Sequence, residues 1–153
     1  MANQNHIFIL KQGTVHWNQW RQRHPEIQPD LSQANLSQMD LGQTNLSQAN
    51  LSRANLTAAN LKGANLKAAN LSLATLSSTN LQVADLSYAD LTGADAKNAD
   101  VRDANLSFST LRVANFSGAD MRGANLASAN TDGAILTNTK RRKGLWDIFT
   151  GSD

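Results

Sequence analysis

Three histidines and twelve acidic residues are the side chains of this chain that could hold a metal ion or exchange protons. His6, His16 and His24 stand ten and eight residues apart, which matches no common metal-ligand spacing. The absence of cysteine excludes disulfides, thiolate ligands and a cysteine nucleophile. Most aspartates occupy one recurring position that they share with asparagine, and none stands beside a candidate acid or nucleophile. We therefore predict no enzymatic activity, no metal and no cofactor.

That recurring position belongs to a five-residue repeat, which runs without a gap from Leu31 to Leu136. Leucine fills 17 of the 22 repeat centres, alanine dominates two residues earlier, and Asn or Asp precedes nearly every centre. A period of five fits neither an α-helix nor a flat strand. We predict a wound chain in which short extended steps alternate with turns, leucine and alanine point inward, and Asn or Asp bonds the turn backbone.

The repeat also resembles a known family. The segment AANLKGANLKAANL at residues 58–71 is similar to the A(D/N)LXX motif of pentapeptide-repeat proteins, and WNQWR at 17–21 resembles the leader of small cyanobacterial-type members. The resemblance implies an all-β solenoid, a right-handed quadrilateral parallel β-helix with four pentapeptides per coil and about 5.5 coils. It divides the chain into a leader with a short helical cap (1–29), the β-helix (30–139) and a basic, apolar tail (140–153).

A twenty-residue coil has consequences for individual residues, since each residue would then lie below the one twenty positions later. The register predicts three vertical arrangements: Ala96 below Phe116, Tyr88 stacked on Phe108, and a column of Asp100 and Asp120 neutralised by a column of Arg102 and Arg122. The same pattern places Leu81 inside and Ser87 on the surface. We therefore expect aspartate to be tolerated at position 87 and not at position 81.

Solenoid ends need covering because the terminal coils expose apolar cross-sections. Thr14 is a predicted N-cap, and residues 15–23 are predicted to form a helix that stops before Pro25. Trp17 and Trp20 lie at helical spacing and are predicted to cover the first coil. Ligand binding by these two tryptophans is the alternative.

The tail reads KRRKGLWDIF at residues 140–149, with four consecutive cations before an apolar cluster. We predict that this cluster folds back over the last coil, with Gly144 as a hinge; its members are Leu145, Trp146, Ile148 and Phe149. A dimer contact, disorder and association with an acidic lipid surface are the alternatives.

The outward positions of the repeat carry an unusual set of apolar side chains. These are Leu73, Val83, Tyr88, Phe108 and Val113. Four successive aspartates, Asp85, Asp90, Asp95 and Asp100, form the main acidic feature in the same region. We predict that a partner protein docks on Tyr88 and Phe108 beside Asp90.

The predicted function is a non-enzymatic scaffold that mediates protein–protein interaction. The resemblance offers an alternative, because some family members mimic DNA and act on type II topoisomerases. Here the repeat region is short and only mildly acidic between two basic ends. We expect an unidentified protein partner, no direct binding of nucleic acid, no membrane span, a monomer or weak dimer, and a cytoplasmic location.

Overall fold

The computed structural model describes residues 1–141; residues 142–153 lie outside the described part of the chain. Two helices come first, α1 (Gln4–Lys11) and α2 (Thr14–Arg23). Isolated parallel β-bridges then succeed one another every five residues from Asp30 to Lys140. The chain therefore has a short helical start followed by a long wound region.

The bridges define the register of the wound region. Each of the 19 bridges joins a residue to the one twenty positions later, from Asp30 with Asn50 to Asp120 with Lys140. The backbone bonds between coils are short; for example, the Leu71 N–H donates to the Asp90 carbonyl at 2.7 Å. The predicted twenty-residue coil is confirmed. Because each coil holds four repeats, the solenoid has four faces that meet at turns.

Each turn follows a repeat centre and has the same construction. In the first turn, the Ala34 N–H donates to the Leu31 carbonyl at 3.1 Å, and Gln33 has a φ of 60°. Only this third turn residue has a positive φ, which is the mark of a type II turn. The Ser32 N–H donates to Oδ1 of Asp30 at 3.0 Å, as predicted for the Asn or Asp position. This bond supports a turn whose left-handed residue costs about 1–2 kcal/mol when it is not glycine.

The core is a stack of the leucine centres and of the alanines that precede them. Both sets are buried, with repeat centres at most 1% exposed, from Leu31 to Met121. Phe116 replaces leucine one coil above Ala96, and both side chains are fully buried. A large side chain above a small one keeps the packed volume of the two coils nearly constant.

Three details of the sequence-based predictions are wrong. The leader contains two helices rather than one, since α1 precedes the predicted helix. Gly13, not Thr14, occupies the N-cap position of α2, because the Thr14 hydroxyl is used to contact the Gly42 carbonyl at 3.2 Å. Ser87 is only 5% exposed, because a side chain this short stays within the turn where its N–H donates to Asp85.

Candidate protein-interaction site

The exposed apolar side chains lie at turn positions, so the four faces decide which of them are neighbours. Tyr88 and Phe108 belong to one turn column, and Leu73, Gly93 and Val113 belong to the next. We call the face between these two columns the front face. Its middle carries the row of Asn70, Asp90 and Thr110, and the second edge also carries the turn residues Ser72, Thr92 and Arg112.

The first edge of the front face is an aromatic stack. The rings of Tyr88 and Phe108 lie 5.0 Å apart with an angle of 5° between their planes. This confirms the stacking that the twenty-residue register predicts. Both residues remain more than half exposed, at 56% and 54%. The Nζ of Lys67 lies 5.9 Å from the Tyr88 ring centroid. Sequence reasoning missed this contact, although the register places Lys67 one coil below Ser87, the neighbour of Tyr88.

The second edge carries two aliphatic side chains separated by a glycine. Leu73 and Val113 are exposed at 50% and 61%. A Cβ atom at Gly93 would lie only 2.8 Å from Cδ2 of Leu73, so glycine leaves room for that leucine to lie along the column. The Leu73 side chain therefore reaches the coil of Tyr88, and the two edges present apolar groups at the same height.

Val83 does not share this face. It occupies the turn before Tyr88, two turns around the coil from the Leu73 column, and it is 59% exposed. It therefore borders the neighbouring face. The structure brings four of the five predicted apolar residues to the edges of one face and leaves Val83 apart.

Two aspartates flank the aromatic stack. Asp85 precedes Tyr88 on one face, and its Oδ1 accepts the Ser87 N–H at 2.9 Å. Asp90 follows Tyr88 on the front face, and its Oδ1 accepts the Thr92 N–H at 2.9 Å. Within residues 1–141, neither carboxylate forms an ion pair.

The other two aspartates of the acidic set are neutralised by cations. Asp95 lies 3.5 Å from Nζ of Lys97. Asp100 accepts two hydrogen bonds from Arg102, at 2.9 and 2.7 Å, and one from Nε2 of Gln82 at 2.6 Å. The side-chain bonds from Arg102, opposed by burial and aided by Gln82, lower the pKa of Asp100 to about 2.

The same pairing is repeated one coil higher. Asp120 accepts bonds from Arg122 at 2.8 and 2.6 Å, and Nε of Arg102 lies 3.8 Å from it. The hydrogen bond from the Arg122 side chain lowers the pKa of Asp120. The predicted neutralisation between the two like-charge columns is thus confirmed. Unpaired negative charge remains beside Tyr88.

Helix α2 lies against the first coil. Trp17 is fully buried, and its Nε1–H donates to the Asn45 carbonyl at 2.8 Å. Trp20 is partly buried, with its ring 5.1 Å from the rings of Trp17 and His6. These contacts support the predicted capping role of the two tryptophans, which stays a prediction.

Polar residues of the leader make further contacts that sequence reasoning missed. The Asn18 amide donates to the Gln43 carbonyl at 3.0 Å and accepts the Asn45 N–H at 2.8 Å. Arg21 is 6% exposed, donates to the Ser47 carbonyl at 3.1 Å, and has a pKa lowered by desolvation. The sequence did hold one signal for these contacts, because Asn18 directly follows Trp17 on the predicted helix.

Few features of the described residues favour a small ligand or a membrane. No three side chains of histidine, cysteine, aspartate or glutamate within residues 1–141 lie close enough to share a metal ion. An open cavity of about 380 Å³ lies at the leader, between His6, Phe8, Trp20 and Ile27. Neither helix in this part of the chain has the length and apolar character needed to cross a bilayer.

The predicted tail cluster cannot be placed. Leu145, Trp146, Ile148 and Phe149 all fall among residues 142–153, outside the described residues. Their capping role remains a prediction.

Comparisons with known proteins agree with this geometry. The family model described as pentapeptide repeats (8 copies) matches residues 30–67, 69–107 and 102–138. A pentapeptide repeat protein from the thylakoid lumen of Arabidopsis thaliana is 33% identical over 60% of this chain, with a TM-score of 0.58. The chain spans 63% of the length of that protein.

Two cyanobacterial structures are also similar. Rfr23 from Cyanothece 51142 is 27% identical, covering 82% of this chain and 94% of its own, with a TM-score of 0.60. HetL from Nostoc, described as involved in the regulation of heterocyst differentiation, is 32% identical over 75% of this chain and 67% of its own, with a TM-score of 0.35. No curated protein matches the chain in sequence. Proteins with these repeats form right-handed quadrilateral β-helices, and this chain belongs to the pentapeptide repeat family.

Proposed function

We propose that this chain is a non-enzymatic scaffold that recognises another protein through the front face of a β-helix of about five and a half coils. One observation carries the proposal: four exposed apolar side chains line the two edges of a single face. They are Leu73, Tyr88, Phe108 and Val113. Single exposed apolar residues are ordinary on protein surfaces, whereas a cluster bordered by polar groups is typical of an interaction site.

The backbone of the front face supports this proposal because hydrogen bonds join it from one coil to the next. The N–H groups of Leu71, Leu91 and Leu111 each donate to the coil above at 2.7 Å. A surface fixed in this way loses little conformational entropy when a partner docks. Such a face suits recognition of a folded protein over a modest area.

The same family suggests DNA mimicry as a second function, and the ion pairs favour the scaffold instead. A DNA mimic needs a long run of unpaired negative charge. Asp95, Asp100 and Asp120 are each paired with a lysine or arginine. We expect a gyrase supercoiling assay to be unaffected by excess protein, and inhibition would favour the alternative.

The cellular location stays a prediction. The Arabidopsis relative comes from the thylakoid lumen, so family membership does not settle the cytoplasmic assignment. The expected monomer or weak dimer is likewise part of the proposal. So is the division into a leader (1–29), a β-helix (30–139) and a tail (140–153).

The test is capture of proteins from an extract of the source organism with the double variant Tyr88→Ala, Phe108→Ala. Alanine fits these turns, since Ala58 and Ala68 hold the same left-handed conformation with φ of 56° and 55°. Phe8→Ala is a matched control, because Phe8 is an exposed aromatic residue of α1. We expect the double variant to lose a partner that the control retains. Undiminished capture by the double variant would refute the proposal.

A further inference from the structure

We infer that the partner presents a basic segment to the corner formed by Tyr88 and Phe108, with arginine or lysine side chains placed on either side of it. This inference rests on the proposed function and adds the chemistry of the partner. Three features of the corner carry it: the distribution of unpaired charge, the open ring surfaces, and the position of the chain's own cations.

Two carboxylates without an ion pair flank this corner. Asp85 and Asp90 lie on the two faces that meet at Tyr88. Oδ1 of each carboxylate accepts a turn N–H, and Oδ1 of Asp85 also accepts a bond from the Asn105 amide at 3.2 Å. The second oxygen of each carboxylate has no hydrogen-bond partner within residues 1–141. Farther along the coil, Lys97 and Arg102 neutralise the next two aspartates. A cation arriving at the aromatic corner therefore meets carboxylates that no cation of residues 1–141 has paired.

The aromatic stack accepts cations on geometric grounds. Lys67 already lies over Tyr88, at 5.9 Å from the ring centroid. Above Phe108, the same column continues with Ser128, a small and exposed residue. The upper surface of Phe108 is thus not covered by a large side chain from its own column. Arginine is well suited to this place, because its planar guanidinium stacks on aromatic rings and pairs with carboxylates.

Two cations of the chain also face this region. Lys67 lies at the lower end of the stack, and Arg112 lies at the opposite edge of the front face beside Val113. Neither forms an ion pair with Asp85 or Asp90. Both carboxylates are therefore available to pair with a cation of the partner, which favours a basic protein segment over an acidic segment or a nucleic acid.

Tyr88 is the only tyrosine of the chain, so incorporation of 3-fluorotyrosine places a single fluorine reporter at the site. The probe is the acetylated and amidated peptide Gly-Arg-Leu-Arg-Gly, titrated into the full-length protein. Its matched control carries citrulline, which has the shape of arginine without the charge. We expect a saturable change of the fluorine resonance with the arginine peptide and at least threefold weaker binding of the citrulline peptide. Equal binding of the two, or no change with either, would overturn the inference.

The second arm removes the two carboxylates with the double variant Asp85→Asn, Asp90→Asn. Asparagine preserves the turn, as Asn105 shows by accepting the Ser107 N–H at 3.1 Å from the same repeat position. Asp40→Asn is the control, since Asp40 is an exposed repeat aspartate of the first coil. We expect the double variant to bind the arginine peptide about threefold to tenfold more weakly. Unchanged affinity would contradict the role of the two aspartates.

This inference can fail separately from the proposed function. A captured partner that depends on Tyr88 and Phe108 but binds the Asp85→Asn, Asp90→Asn variant normally, and does so at roughly 0.5 M salt, would leave the scaffold intact and refute the basic segment. A partner that neither double variant binds, and whose binding to the native chain weakens as the salt concentration rises, supports both the proposed function and this inference.

Discussion

The two ends of the solenoid meet the same physical demand in different ways within the described residues. At the first coil, side chains of α2 bond the backbone groups that have no coil below them. Trp17 and Asn18 supply two of these bonds, to the carbonyl and the N–H of Asn45. Arg21 adds one to the Ser47 carbonyl. The leader thus covers the apolar end and satisfies part of the ladder at the same time.

The last coil has no such cover from residues 1–141. Leu126 and Leu136 are partly exposed, whereas repeat centres in the coils below are buried, and Ile135 is 45% exposed. The N–H groups of Leu126, Thr131 and Leu136 find no hydrogen-bond partner among the described residues. The comparison teaches that a parallel ladder needs side chains of two kinds at its end: apolar ones for the core, and polar ones for the open backbone groups.

The largest expected effect comes from placing aspartate in one leucine column, first at the N-terminal end of the solenoid and then at the C-terminal end. Leu46 lies fully buried under the leader, and Leu126 belongs to the same column four coils later. Leu46→Asp buries an unpaired charge, which costs several kcal/mol, and should abolish most of the cooperative melt measured by circular dichroism. The Leu126→Asp variant should have a clearly higher melting temperature than the Leu46→Asp variant. Equal losses would show that the second end is covered as fully as the first.

The next effect tests the leader itself. Trp17→Ala removes a fully buried ring and leaves the Asn45 carbonyl without its donor. A loss of about 3–5 kcal/mol is expected, which lowers the melting temperature by roughly 10 °C. Trp20→Ala is the control, since Trp20 is only partly buried and should cost less. If the two variants had the same melting temperature, the contact of Trp17 with the first coil would add nothing to the stability of the protein.

A smaller effect concerns the tail, whose predicted cap lies outside the described residues. Deleting residues 142–153 should lower the melting temperature by about 5 °C if Trp146 and Phe149 cover the last coil. Replacing only these two residues by serine keeps the length and charge of the tail and should reproduce most of the loss. A monomer with an unchanged melt in both variants would leave the tail free for binding.

The smallest expected effect concerns the stability of the protein at low pH. The pKa of Asp100 falls from its ordinary value of 3.8 to about 2 on folding, so its pairing stabilises the protein above pH 4 and is lost as the pH falls toward 2. The ion pairs of Asp100 and Asp120 lie in the coils nearer the C-terminal end of the solenoid. Asp100→Asn should therefore lose about 1–2 °C less between pH 5 and pH 2 than the native chain. Arg102→Gln should behave likewise, and full acid sensitivity in either variant would contradict the assignment.

Much of the solenoid can be predicted from the sequence, because the repeat determines each position. The coil length, the turn bonds of Asn and Asp, and the Tyr88–Phe108 stack all follow from a strict period. Helix α1 does not, since its apolar run from Ile7 to Leu10 is too short to show a helical period.

The candidate site was only partly predictable. Its residues can be found as apolar side chains at polar positions, but which of them share a face depends on counting turns around the coil. That count separates Val83 from Leu73 and Val113. The contact of Lys67 with Tyr88 depends on side-chain direction, which a repeat pattern does not specify.

The claim of a rigid recognition face is tested most directly by amide hydrogen exchange. The N–H groups of Leu71, Leu91 and Leu111 lie beneath the front face, each with a 2.7 Å bond to the next coil. We predict that they exchange only through global unfolding, far more slowly than the Ile7 N–H of α1. Exchange at the rate of Ile7 would show that the front face opens locally, and it would contradict a preorganised scaffold.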